Sequence, residues 1–185
     1  MTAAPDPTSG TDRLGTLEDT GEGWVVHYRR RLAAPPAVVW QAFADPVLVA
    51  RWFPSSIEGE LTDGAPLRFV IDHHGVEPFD GSVIEADPPH RLVFWWGPDR
   101  LAFELAASGD GTELSLAVLV SELGKAARDG AGWHECLDQL VEVHAPDGEA
   151  LEVATWAVVH PRYVERFGPE ASTIGPPPGF GPDGV

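Results

Sequence analysis

Between residues 66 and 120 the chain alternates apolar and polar side chains in short runs, each closed by a turn signal. No other feature restricts the fold so strongly. In an extended chain every second side chain points to the same face, so such runs read as half-buried strands. Leu67, Phe69 and Ile71 share one face of the run 66–73. The runs 79–86, 91–96, 101–107 and 112–120 follow, with Leu101, Phe103 and Leu105 aligned in one and Leu114, Leu116 and Val118 in another. Asp87-Pro88-Pro89, Gly97-Pro98-Asp99 and Ser108-Gly109-Asp110-Gly111 supply the turns, and a short strand at 57–61 precedes Thr62-Asp63-Gly64. Connections this short join antiparallel neighbours.

Upstream, Trp24–Leu32 also alternates, with Trp24, Val26, Tyr28, Arg30 and Leu32 on one face. Ala34-Pro35-Pro36 stops that strand, and Pro36 opens a short helix striped by Val38, Val39, Ala42 and Phe43. Asp45-Pro46 ends it. A second short helix carries Leu48, Val49, Trp52 and Phe53. Beyond 120 the period lengthens. Leu123, Ala126, Ala127, Gly130, Trp133, Leu137, Leu140, Val141 and His144 recur at three- and four-residue steps, which predicts one long amphipathic helix over 122–144. Gly124, Gly130 and Gly132 weaken its first half, each by up to about 1 kcal/mol relative to Ala.

A sheet with one apolar face must be covered, and only this helix is long enough. The expected architecture is α+β, a curved antiparallel sheet wrapped around a long helix. Such a sheet leaves a straight helix at its ends, so a cavity is expected between the two. Residues 1–22 are expected to form a disordered arm, 23–145 the domain, 146–170 a helical extension interrupted by Pro161, and 171–185 a disordered Pro/Gly-rich tail.

The charge balance narrows the partners. Twelve Lys and Arg stand against 29 Asp and Glu, a net charge of −17. Nucleic acid and anionic membrane surfaces both require clustered cations, so neither is expected as a partner. The single Cys cannot form an internal disulfide, which suits a reducing cytoplasm. The N-terminal stretch has no apolar signal core, and no run is long enough to span a bilayer.

Several motifs together resemble a known family. Ala34-Pro35-Pro36 with Val39-Trp40, Asp45-Pro46, and Arg51-Trp52-Phe53 look like the opening of an SRPBCC (START/Bet v 1-like) domain. Gly81-Ser82-Val83-Ile84-Glu85, Asp87-Pro88-Pro89-His90-Arg91-Leu92, Gly111-Thr112-Glu113-Leu114 and Gly132-Trp133 with Leu137 and Leu140 continue the match over roughly 24–144. The branch resembled is the activator of heat-shock-protein-90 ATPase homologue, C-terminal-like family. The resemblance implies a helix-grip fold. It also implies members that hold apolar molecules, cyclise polyketides or partner chaperones.

Alternation and the helix stripe converge on one candidate ligand lining. The sheet contributes Trp24, Val26, Tyr28, Leu67, Phe69, Ile71, Val83, Phe94, Trp96, Phe103, Leu105, Leu114 and Leu116; the helix contributes Trp133, Leu137 and Leu140. The competing reading is that these side chains simply fill a core. Tyr28, Arg30, His73, Glu85 and His134 are the nearest polar groups, with Arg30 expected to pair with Glu85 or to bind an acidic ligand group. Adjacent His73 and His74 point to opposite faces and cannot share an inward metal. His134-Glu135 lacks the second His of a zinc-protease helix, and no nucleophile elbow, phosphate loop or dinucleotide fingerprint is present. No catalytic residue, metal or cofactor is assigned. Three readings remain: a binder of a hydrophobic or amphipathic small molecule, a polyketide cyclase/aromatase-like enzyme, and an interaction module with a protein partner.

Overall fold

A computed structural model describes residues 13–71, 76–146 and 153–176. Eight strands form one sheet in the order β1-β2-β8-β7-β6-β5-β4-β3. They are β1 (Thr16–Asp19), β2 (Trp24–Leu32), β3 (Ser56–Glu58), β4 (Pro66–Val70), β5 (Phe79–Asp87), β6 (Arg91–Trp96), β7 (Asp99–Ser108) and β8 (Gly111–Val120). Every pairing is antiparallel, and β2 closes onto β8 from Trp24 opposite Val120 to Leu32 opposite Thr112. The turns fall where Gly and Pro place them: Gly97 and Gly109 sit at φ +58° and +62°, conformations open to glycine at little cost.

β1 corrects one expectation. Residues 16–19 were assigned to a structureless arm, yet they pair with β2 in register from Thr16 opposite His27 to Asp19 opposite Trp24. The segment Thr-Leu-Glu-Asp has little apolar alternation of its own, and β2 supplies the template. The expected strand face of Glu85 is also corrected. The β5–β6 register shifts between Val83 and Glu85. The bulge keeps Val83 buried and turns Glu85 outward, where it pairs with Arg91 at 2.9 Å.

Three single-turn helices follow β2: α1 (Pro36–Val39), α2 (Gln41–Ala44) and α3 (Pro46–Val49). Asp45 caps the last by accepting from Val47 N–H at 2.8 Å. They carry Phe43 and lead into Trp52 and Phe53, which enter the core under the sheet. The Trp52 indole N–H donates to the Ala42 carbonyl at 2.8 Å, so the largest buried ring is also satisfied. The long helix is a 3-10 turn at Leu123–Lys125 followed by α4 (Ala126–Val143).

Among the described residues after α4 a further helix forms. In α5 (Trp156–Phe167) the apolar stripe of Val159 and Tyr163 is fully buried, and this burial outweighs the lost hydrogen bond at Pro161. Glu135 of α4 accepts from the first N–H of α5, at Trp156, at 2.7 Å. The helix therefore packs on α4 rather than on the back of the sheet. It lies close to α4 at Gly130, where an added Cβ would be 2.9 Å from Tyr163. This is a helix-grip fold.

The space between the sheet centre and α4 is solid. Phe43, Phe69, Phe94 and Phe103 lie ring against ring at 5.0–6.1 Å, with Leu67, Leu101, Leu114 and Leu137 completing the layer. An internal cavity was expected here. The aromatics brought in by the segment around α2 and α3 fill it.

Candidate functional site: an apolar cleft at one end of the sheet

Among the described residues a cleft of about 470 Å³, open to solvent, lies at one end of the fold. Ile71, Val76 and Phe79 form one wall, at the end of β4 and the start of β5. Trp96, Gly97 and Pro98, at the β6–β7 turn, form the floor. Gly132, Trp133 and Cys136 of α4 form the opposite wall, and Trp156 of α5 stands at the rim. Trp96 meets Trp133 edge-on at 5.4 Å and Phe79 at 5.2 Å, so three rings brace one another. Gly132 keeps the wall thin: a Cβ there would touch nothing within 4 Å.

One side of the cleft is charged. Lys125 Nζ donates to Asp99 Oδ2 at 2.6 Å and lies 3.5 Å from Asp129 Oδ2. Arg128 Nε donates to Asp129 Oδ1 at 2.6 Å. Asp99 Oδ1 accepts the Ser121 N–H at 2.8 Å. The two cations and two carboxylates sum to zero. Cys136 borders the cleft, but burial and the neighbouring Glu135 push its thiol up to about 12, so it is no nucleophile at neutral pH.

Of the residues expected to line a ligand site, Ile71, Trp96 and Trp133 border this cleft. Val26, Leu67, Phe69, Val83, Phe94, Phe103, Leu105, Leu114, Leu116, Leu137 and Leu140 are in the packed core, and Trp24 is half-buried at its edge. His73 and His74 lie outside the described residues. Sequence reasoning missed Phe79, Asp99, Lys125, Arg128, Gly132 and Trp156. Phe79 at the head of the alternating run 79–86, Gly132 in the Gly132-Trp133 motif and Trp156 in an amphipathic stretch carried a sequence signal.

The remaining polar candidates form a separate cluster behind α4. Arg30 Nε donates to Asp138 Oδ1 at 2.9 Å, not to Glu85. Arg13 lies 3.6 Å from the same oxygen, and His134 Nε2 lies 3.4 Å from Asp138 Oδ2. The Tyr163 hydroxyl accepts Gly15 N–H at 2.8 Å and lies 3.1 Å from His134 Nδ1. Burial alone would raise the Asp138 carboxyl, but His134, Arg30 and Arg13 together hold it below the usual carboxylate range. Burial pushes the Tyr163 phenol up to about 12 and the Tyr28 phenol well above its ordinary value. Tyr28 donates to the Gly130 carbonyl at 3.0 Å. Asp138, His134 and Tyr163 do not border the cleft, and the cluster's hydrogen bonds tie β2, α4, α5 and the N-terminal segment together.

A larger recess of about 830 Å³ lies on the outer sheet face. Its walls mix charged Arg29, Arg91, Arg100, Glu18 and Glu104 with Leu14, Ala102 and Ala117. Among the described residues no group of His, Cys, Asp and Glu is placed to hold a metal ion, and no helix is long and apolar enough to cross a membrane.

Comparison with known proteins places this geometry. No curated protein matches the sequence. A conserved protein of unknown function, EF2215 from Enterococcus faecalis, shares the fold with a TM-score of 0.69 at 19% identity, over 82% of this chain and 89% of that one. CalU16 from Micromonospora echinospora gives 0.57 at 24% identity, over 82% and 88%. DynU16, a putative protein in the dynemicin biosynthetic locus, gives 0.54 at 27% identity, over 63% of this chain and 45% of its own. The profile of the activator of Hsp90 ATPase homolog 1-like proteins matches residues 33–145, from the turn after β2 through α4. With more than half its length matched, the chain belongs to the activator of Hsp90 ATPase homolog 1-like family of SRPBCC-type domains.

Proposed function

We propose that the protein binds a hydrophobic or amphipathic small molecule in the cleft between the β6–β7 turn and α4. The observation that carries this reading is an open recess of about 470 Å³ walled by Ile71, Val76, Phe79, Trp96, Trp133 and Trp156 in a protein whose core is otherwise filled. Pockets for small ligands are of this size, about 300–1,000 Å³, and are mostly apolar with a few polar groups. Leaving such rings in contact with water forfeits about 25 cal/mol per Å² of apolar surface, which a ligand recovers. Among its described lining residues the cleft holds no nucleophile–base pair, which favours binding without built-in chemistry.

The test is a titration with 2-ethylnaphthalene, followed by tryptophan fluorescence, in the parent protein and in Gly132→Leu. Leu is a good helix former, and its side chain would occupy open space at the cleft wall. Saturable binding that weakens at least about tenfold in the folded variant supports the cleft as the site, the loss expected when about 1.4 kcal/mol of contact is blocked. Absence of binding, or binding indifferent to Gly132→Leu, overturns it. Mass spectrometry of protein extracted under denaturing conditions identifies any co-purifying compound. Its conversion on incubation would replace binding by the enzyme reading.

A further inference from the structure

The segment after α5 is led to the mouth of the cleft. Ala171, in the 3-10 turn Pro169–Ser172, is 1% exposed and anchors it in the core. Ile174 N–H donates to the Gly124 carbonyl at 2.9 Å. Gly124 permits this approach, because a Cβ there would collide with Thr173 and lie 3.2 Å from Ile174. Arg128 Nη1 donates to the Gly175 carbonyl at 3.3 Å. The next residue, Pro176, is itself half-buried and part of the cleft wall. The chain therefore passes the start of α4 and reaches the cleft at Pro176. Residues 177–185 lie outside the described residues. Their sequence opens Pro177-Pro178-Gly179-Phe180-Gly181-Pro182, and from Ala171 to Pro182 no side chain is charged, in a chain where 22% are.

We infer that the chain beyond Pro176 is the cleft's own occupant, with Phe180 as the group a small molecule must displace. The inference rests on the cleft being a binding surface, as proposed above, and adds its regulation. Proline segments dock in grooves lined by aromatic rings, because the pyrrolidine fixes φ and leaves less entropy to lose. Phe79, Trp96, Trp133 and Trp156 are the rings here. Phe180 is four residues past Pro176, a reach of up to about 13 Å, and Gly179 and Gly181 impose no Cβ on a turn that brings the ring back. An aromatic ring against Trp96 and Trp133 also removes apolar surface from water. The tether favours this segment over other occupants. A short linker supplies the ring at an effective concentration of about 1 mM, so a weak contact suffices to fill the cleft. A ligand's apparent Kd then rises by the inverse of the open fraction. A cleft filled about nine-tenths of the time raises it about tenfold.

The experiment compares the full chain with Phe180→Ala and Phe180→Leu. Two quantities are read: the Kd of 2-ethylnaphthalene, and acrylamide quenching of tryptophan fluorescence in the protein without probe. Phe180→Ala should tighten 2-ethylnaphthalene at least about threefold, the change expected when a cleft filled about two-thirds of the time is freed. It should also raise quenching, because Trp96 and Trp133 lose their cover. Phe180→Leu, which keeps an apolar side chain, should stay closer to the parent in both. A Kd equal in parent and Phe180→Ala overturns the inference. If Gly132→Leu still weakens the probe in that case, the small-molecule reading is intact. If the probe binds neither protein, the small-molecule reading falls and quenching decides alone: a rise in Phe180→Ala upholds the occupant, and equal quenching overturns it as well. A parent Kd that climbs with protein concentration would show the segment entering a second copy, and would overturn its assignment to the cleft of its own chain.

Discussion

Replacing Asp138 with Asn tests whether the buried charge cluster holds the N-terminal segment, β2, α4 and α5 together. The Asp138 side chain is 1% exposed and that of Arg30 is 2% exposed. The substitution keeps the shape and removes the charge that Arg30, Arg13 and His134 face. Arg30 would stay buried with the carbonyls of Arg13 and Arg29, each at 2.9 Å, and a neutral amide oxygen. Removing one partner of a buried pair costs about 3–5 kcal/mol. Because Asn retains a hydrogen-bond acceptor, the lower end, about 3 kcal/mol, is expected. In a chain of this size each kcal/mol moves Tm by about 2–4 °C, so the melting point should drop by about 6–12 °C. The pH dependence carries a second signature. The folded Asp138 carboxyl is held below its ordinary value, so its contribution is present above the unfolded value of about 4 and is lost as pH falls through the folded one. Urea unfolding at about pH 5 should show the full gap between parent and variant, and the gap should close at more acid pH. A variant within about 1 kcal/mol of the parent near neutrality, or a gap that stays open in acid, would refute the reasoning.

Two glycines of α4, two residues apart, should respond in opposite directions. Gly130→Ala gains up to about 1 kcal/mol of helix propensity. Its Cβ would nevertheless lie 2.9 Å from Tyr163 and 3.2 Å from Phe167, and Tyr163 is pinned by Gly15 and His134. Overpacking costs about 1–3 kcal/mol, so the net change is destabilising. Gly132→Ala meets nothing within 4 Å and should stabilise by up to about 1 kcal/mol. Thermal unfolding that moves both variants the same way would contradict this contrast. Cys136, with its thiol at about 12, should react slowly with iodoacetamide at neutral pH in the native protein. Its labelling rate should climb about tenfold per pH unit well past the ordinary thiol value of about 8.5. A rate already level by about pH 9 would sink the assignment.

The strands were legible because what specifies them is local: alternation on each run, and Gly or Pro at each turn. The failures lie where a distant partner overrides the local pattern. Thr16–Asp19 has no strand signature, and only the edge of β2 makes it one. Glu85 faces outward because a bulge slips the register of β5 on β6, which period-two reasoning cannot register. Pro161 was expected to interrupt the helical extension, yet α5 runs through it because Val159 and Tyr163 are buried. The site divides in the same way. Alternation identifies inward side chains, but an inward side chain serves a packed layer and a ligand wall equally well. What decides between them is volume supplied from elsewhere in the chain: Phe43, Trp52 and Phe53 fill the centre, while the cleft lies beyond Trp96 and Trp133, on which Phe53 packs. The charged wall was beyond reach for the same reason, since Asp99 and Lys125 stand 26 residues apart and meet only after the β7–β8 hairpin has folded back. The glycines of α4, which read in sequence as weak points of a helix, prove to divide the labour. Gly130 lets α5 approach closely enough to bury Tyr163, and Gly132 withholds the side chain that would otherwise close the cleft. The helix thus gives up local propensity at two positions, once for packing and once for space beside the cleft.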